Sequence, residues 1–121
     1  MERIAEGELA VMEVLWEESP LTAAEVSERV PPERGWSLAT VKTMLSRLLT
    51  KGLLAHEEAG RRYLYRPVLR REDYVAEESG RLIDRMFGGR VTPLVAHLAE
   101  RDRLSPADIA EIEKLLRELK S

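Results

Sequence analysis

The stretch Trp36-Ser37-Leu38-Ala39-Thr40-Val41-Lys42-Thr43-Met44-Leu45-Ser46-Arg47-Leu48-Leu49-Thr50-Lys51-Gly52 decides the fold. Ser37 carries the short hydroxyl side chain that caps a helix start. Gly52 stands where a left-handed residue closes a helix. The spacing predicts a helix between them, running to Lys51. At about 100° per residue, Leu38, Val41, Met44, Leu45, Leu48 and Leu49 fall on one arc. Ala39, Thr40, Lys42, Thr43, Ser46, Arg47 and Thr50 fall on the other, and the two arcs do not interleave. The polar arc holds hydroxyls, small side chains and two cations, with no carboxylate.

Upstream, Leu9, Val11, Met12, Leu15 and Trp16 recur at helical spacing and predict a first helix over 8–17. Ser19-Pro20 ends it. A second helix opens at Thr22-Ala23-Ala24-Glu25, a capping box in which the Thr hydroxyl takes the Glu25 amide and Glu25 reaches back. It runs to about Val30, and Pro31-Pro32 stops it because proline donates no helical hydrogen bond. Downstream, residues 53–56 and 62–66 read as short strands joined by a loop over 57–61 around Gly60, and Pro67 closes the hairpin.

Three helices and then a hairpin is the order of a winged helix-turn-helix, over residues 1–68. In that arrangement the second helix of the turn motif enters the major groove and the hairpin lies against the DNA backbone. Lys42 and Arg47 can reach guanine edges or phosphates, and the Thr side chains offer either a hydroxyl or a methyl. Arg61, Arg62 and Arg66 put positive charge on the hairpin, where phosphates would lie. Trp16 and Trp36 read as packing residues and not as base stackers.

The charge is partitioned. The 121 residues carry a net −3, yet residues 1–33 carry −7, residues 34–71 carry +7 and residues 72–121 carry −3. A polyanion responds to the middle cluster more than to the total.

Residues 69–121 read as three amphipathic helices. Tyr74, Val75, Leu82, Ile83, Met86 and Phe87 form one stripe that Gly88-Gly89 terminates. Leu94, Val95 and Leu98 mark a short helix over 93–100. Ser105-Pro106 opens the last, with Ile109, Ile112, Leu115, Leu116 and Leu119 as its stripe. So short a piece does not easily close a core alone, and its stripes pack either on a partner or back on the first domain. The simplest partner is a second copy, with Leu82, Ile83, Met86, Phe87, Leu94, Leu98, Ile109, Ile112, Leu116 and Leu119 as the dimerisation residues. A symmetric dimer would read a palindrome.

Composition sets the limits. Apolar residues at 44% and charged residues at 34% describe a globular chain. The absence of cysteine excludes disulfides, thiolate metal sites and thiol catalysis. No apolar run approaches the roughly 20 residues of a membrane span. The start Met1-Glu2-Arg3-Ile4-Ala5-Glu6 lacks an apolar stretch behind a positive charge, so a cytoplasmic location is expected. His56 and His97 have no neighbouring nucleophile and no metal-ligand spacing, and Gly88-Gly89 is too short to cradle a phosphate. The expectation is a DNA-binding protein with no catalytic residues, no metal and no cofactor. The competing reading is a winged-helix protein-interaction module, which would not need a cationic groove helix.

Three stretches resemble the BlaI/MecI/CopY family, the penicillinase-repressor type of bacterial regulators. They are Leu9-Ala10-Val11-Met12-Glu13-Val14-Leu15-Trp16, the run Trp36 to Leu48, and Lys51-Gly52-Leu53-Leu54 with the strand at 62–65. The resemblance implies a homodimeric transcriptional repressor with an N-terminal DNA-binding domain and a C-terminal helical dimerisation domain. It maps groove contacts to Ser37, Ala39, Thr40, Lys42, Thr43 and Arg47. Family members often carry proline where this chain has Leu38 and a basic residue where it has Ala39. The Asn–Phe cleavage site of the β-lactam-responsive branch is matched here by His97-Leu98, so a regulatory protease is not expected. The Cys-x-Cys motifs of the copper-responsive branch are missing.

Overall fold

The computed structural model describes residues 3–121. Met1 and Glu2, the start of the stretch read above for a leader, lie outside the described residues. The order is α1 (Glu6–Glu17), α2 (Ala23–Arg29), a 3-10 turn (Pro32–Arg34), α3 (Leu38–Thr50), β1 (Leu54–Ala59), β2 (Arg62–Pro67), α4 (Arg71–Phe87), α5 (Val91–Glu100) and α6 (Pro106–Lys120). The chain divides into two compact units, the first ending at Tyr74 and the second spanning Val75–Ser121.

Local signals start and stop the helices of the first unit. The Thr22 hydroxyl accepts from the Glu25 amide at 3.2 Å, and the Glu25 carboxylate accepts from the Thr22 amide at 2.9 Å. The Thr22 amide first, and then the Thr22 side chain, hold the Glu25 carboxyl below its ordinary pKa. Ser37 caps α3 by accepting from the Thr40 amide at 3.2 Å. Gly52 closes it in the left-handed region with φ of 76°. α1 begins two residues earlier than its apolar stripe predicts. Glu8 reaches back to accept from the Ala5 amide at 3.0 Å and supplies a partner for an orphan donor at the helix start.

The core is the apolar seam where the three helices meet the base of the hairpin. Val11, Met12 and Leu15 of α1, Val26 of α2 and Val41, Leu45 and Leu48 of α3 are fully enclosed, with Leu21, Val30, Leu53 and Leu54 around them. Trp16 and Trp36 pack against this cluster, as their reading as packing residues implies. The Trp16 indole donates to the Leu69 carbonyl at 2.8 Å and its ring meets Tyr74 at 5.6 Å. Gly7 lets α1 approach α3 closely: a Cβ there would meet Met44 at 3.3 Å and Trp36 at 3.4 Å.

β1 and β2 pair antiparallel from Leu54 opposite Pro67 to Ala59 opposite Arg62. The turn is therefore Gly60-Arg61, shorter than the expected loop over 57–61. Glu57, Glu58 and Ala59 continue the strand because pairing gives their backbone groups partners, while their exposed side chains stay in water. Tyr65 and Leu21 exchange two backbone bonds of 2.8 and 3.1 Å, which fasten the hairpin to the chain between α1 and α2. The division between the compact units falls inside α4, after Tyr74. Its first turn belongs to the first unit, where Tyr74 meets Trp16 and Arg71 reaches Glu13 at 3.6 Å.

In the second unit, Gly88 and Gly89 end α4 with φ of 59° and 83°. Ser105 caps α6, exchanging bonds of 3.0 Å with Asp108. No residue of Val75–Ser121 is buried.

Candidate nucleic-acid interface

Most of the outer arc of α3 is laid out as its spacing predicts, with Thr40 half-buried beside Ser37. Ala39, Lys42, Thr43, Ser46, Arg47 and Thr50 are exposed, and Val41, Leu45 and Leu48 are buried. Leu38 departs from the expectation. It sits in the first turn, beyond the reach of the core, and remains 41% exposed. It lines a cavity of about 540 Å³ bounded by the start of α2, the start of α3 and the hairpin. Lys42, Arg61 and Arg62 converge on the same cavity, together with Tyr63, Tyr65, Glu25 and Glu28. The structure thus brings one cation of α3 together with two of the hairpin. Arg66 lies farther down β2, exposed but away from the cavity, and Arg47 is on the opposite flank of α3.

The threonine hydroxyls of the outer arc are bonded within the helix and its cap, whereas the Ser46 hydroxyl is exposed. Thr43 donates to the Ala39 carbonyl at 3.0 Å and Thr50 donates to the Ser46 carbonyl at 3.0 Å. Ser37 and Thr40 share a hydroxyl contact of 3.2 Å.

The cations of residues 34–71 fall into two sets. Lys51 donates to Glu8 at 2.6 Å and to the Arg3 carbonyl at 2.8 Å. Arg34 lies 3.6 Å from Glu6 and over the Trp36 ring at 4.9 Å. Arg70 pairs with Glu72 at 2.6 Å, and Arg71 with Glu13. Lys42, Arg47, Arg61, Arg62 and Arg66 are all exposed and enter no ion pair among the described residues. A cation with no carboxylate at ion-pair distance is available to an external anion without breaking an ion pair, although Arg47 acts on Glu8 and Arg62 on Glu25 from longer range.

The Glu8–Lys51 pair was not legible in the sequence. Glu8 is 3% exposed at its side chain. Burial pushes its carboxyl pKa up. The Lys51 hydrogen bond, the Ala5 amide and the charges of Lys51 and Arg47 outweigh that and leave it below the ordinary value. The available signal was spacing: Glu8 lies on the same helical stripe as Val11, Met12 and Leu15.

Residues 4–118 match the family described as Penicillinase repressor. The Penicillinase repressor of Bacillus licheniformis is 34% identical over 119 residues, which cover 98% of this chain and 93% of that protein. The chain belongs to the penicillinase repressor family. This is a family of transcriptional repressors and not of enzymes. The methicillin resistance regulatory protein MecI of Mammaliicoccus sciuri is 26% identical over 113 residues, covering 93% of this chain and 92% of that one. A solution structure of monomeric Bacillus licheniformis BlaI in complex with the blaP half-operator matches with a TM-score of 0.52 and 38% identity. That match covers 60% of this chain and 89% of the BlaI chain.

In this repressor-family chain the expected dimerisation residues all lie in the second unit. Leu82, Met86, Ile109, Leu116 and Leu119 are exposed, Met86 at 61% and Leu119 at 81%. Ile83, Phe87, Leu94, Leu98 and Ile112 are half-buried. His56 stacks on Tyr63 at 4.5 Å and His97 is exposed on α5. Among the described residues, no cluster of three or more His, Asp or Glu could hold a metal ion, and no helix is long and apolar enough to cross a membrane.

Proposed function

We propose that this chain is a bacterial transcriptional repressor that occupies an operator in double-stranded DNA. In this reading α3 lies in the major groove, with Ser37, Ala39, Thr40, Lys42, Thr43 and Arg47 toward the bases and nearby phosphates. Arg61, Arg62 and Arg66 of the hairpin follow the backbone. The observation that carries the reading is the division of the cations: those on the two DNA-facing elements are exposed and unpaired, while Lys51, Arg34, Arg70 and Arg71 have acidic partners. The half-operator complex of the BlaI relative supports DNA as the ligand. A DNA partner in turn fits a cytoplasmic location.

The finer part of the proposal is a homodimer on a palindrome. It is supported by a second unit with no buried residue and with Leu82, Met86, Leu116 and Leu119 open to solvent. Such a surface gains most of its stabilisation by covering itself with a second copy. Two copies would space two α3 helices about 34–36 Å apart, or a multiple of that, along the duplex. Residues 1–68 then serve DNA and residues 69–121 association.

The test is selection of bound sequences from a random duplex pool with the full chain, then band shifts at two salt concentrations. A palindrome with steep salt dependence is the expected result, because displaced counterions supply much of the affinity. No enriched motif, with weak binding at both salts, would replace this reading with a protein-interaction module.

A further inference from the structure

The middle of the outer arc of α3 is occupied by Ala39, Thr43, Ser46 and Thr50, spaced four, three and four residues apart. Lys42 and Arg47 flank this row about 140° apart around the axis. The flanking cations suit the two phosphate rails or guanine edges beside the row. Within the row only the exposed Ser46 hydroxyl has no bond to the helix among the described residues. The Thr43 hydroxyl proton is committed to the Ala39 carbonyl and the Thr50 proton to the Ser46 carbonyl, each at 3.0 Å. Helical threonines that bond back in this way present the other branch of the side chain, a methyl. Ala39, one turn before Thr43, adds a second methyl. No carboxylate or amide stands in the row to accept from, or bond in two places to, a base edge.

Resting on the DNA-binding reading, we infer that Ala39 and Thr43 read the C5-methyl group of a thymine in the operator half-site. Thymine alone among the DNA bases presents a methyl in the major groove, and small apolar side chains recognise it by contact. Selectivity at that base pair then comes from packing of methyl on methyl, and the Thr43 hydroxyl stays on the helix. Sequence-dependent affinity at this position is insensitive to salt, in contrast to the contributions of Lys42 and Arg47.

The experiment uses the full chain and the duplex recovered by selection, with each thymine replaced in turn by deoxyuridine, which removes only the methyl. One position per half-site is expected to lose about fourfold in affinity, the worth of one buried methyl at about 0.8 kcal/mol. Thr43→Val, which keeps the methyl and lacks the hydroxyl, binds within about twofold of the parent on this reasoning. Thr43→Ser, which keeps the hydroxyl and lacks the methyl, loses about fourfold and no longer responds to deoxyuridine at that position. An unaltered chain indifferent to every replacement, or a half-site with no invariant thymine, overturns the inference while leaving DNA binding intact. So does a Thr43→Val chain that folds but loses binding where Thr43→Ser retains it. Failure to enrich any sequence overturns the DNA-binding reading, and this inference with it.

Discussion

Replacing Lys51 by Met should destabilise the first unit by about 3 kcal/mol near neutral pH, the low end for one-sided removal from a buried ion pair. The low end applies because the Lys51 side chain keeps 25% exposure, whereas Glu8 keeps 3%. Without the ammonium, the Glu8 carboxylate retains the Ala5 amide at 3.0 Å but no counter-charge within ion-pair distance. Urea unfolding followed by tryptophan fluorescence isolates this unit, because Trp16 and Trp36 both pack on its core. With a slope of about 1.5 kcal/mol per molar, the midpoint falls by about 2 M. The pH dependence adds a second constraint. Glu8 has a lowered folded pKa in the parent, so it contributes stability that is present above the ordinary carboxylate value and lost as pH falls through the folded one. In the Lys51→Met chain the Ala5 amide and the Arg47 charge remain but the bond and charge of Lys51 are gone, so the pKa moves up and protonation relieves part of the penalty. The gap between the two chains therefore narrows as pH falls from neutral toward about 4. The double variant Glu8→Gln with Lys51→Met should recover most of the loss. A loss below about 1 kcal/mol, or a gap that widens in acid, would refute the account of this pair.

Lys42→Ala and Arg47→Ala should each weaken binding to the selected duplex about tenfold, and each should lower the salt slope by about one where it removes a phosphate contact. Band shifts over a salt series check both. Thr22→Ala removes the cap of α2 and should cost about 1 kcal/mol in the same urea assay. Gly52→Ala forces a side chain into a φ of 76° and should cost a further 1–2 kcal/mol, about the left-handed penalty for an ordinary residue. Leu116→Asp with Met86→Asp should shift sedimentation from dimer to monomer and leave the fluorescence-monitored unfolding of the first unit unchanged, since neither residue belongs to that unit.

The element order was legible because its signals are local. The Thr22–Glu25 box, the Ser37 cap, the Gly52 stop and the Ser105 cap each act within a few residues, and the side chains that perform them are adjacent in the chain. The apolar and polar arcs of α3 follow from its period for the same reason. Where the reading failed, the cause was a contact or an edge that period does not describe. Leu38 has the phase of a core residue but stands in the first turn, where the core has ended. The strand β1 runs on through Glu57 and Glu58 because Leu64 and Tyr63 pair opposite them, which their own composition does not announce.

The charge tally shows where the two levels divide. The sequence by itself determined that residues 34–71 carry a net +7, that two of the cations lie on the outer arc of one helix and that three lie on a hairpin. Only the tertiary structure decided which of the positive charges remain available. Lys51 meets Glu8 from 43 residues away, and Arg71 meets Glu13 across a still longer separation. A charge is neutralised by what lies within a few ångströms of it, and distances of that kind are set by how helices pack, not by the spacing of residues along the chain.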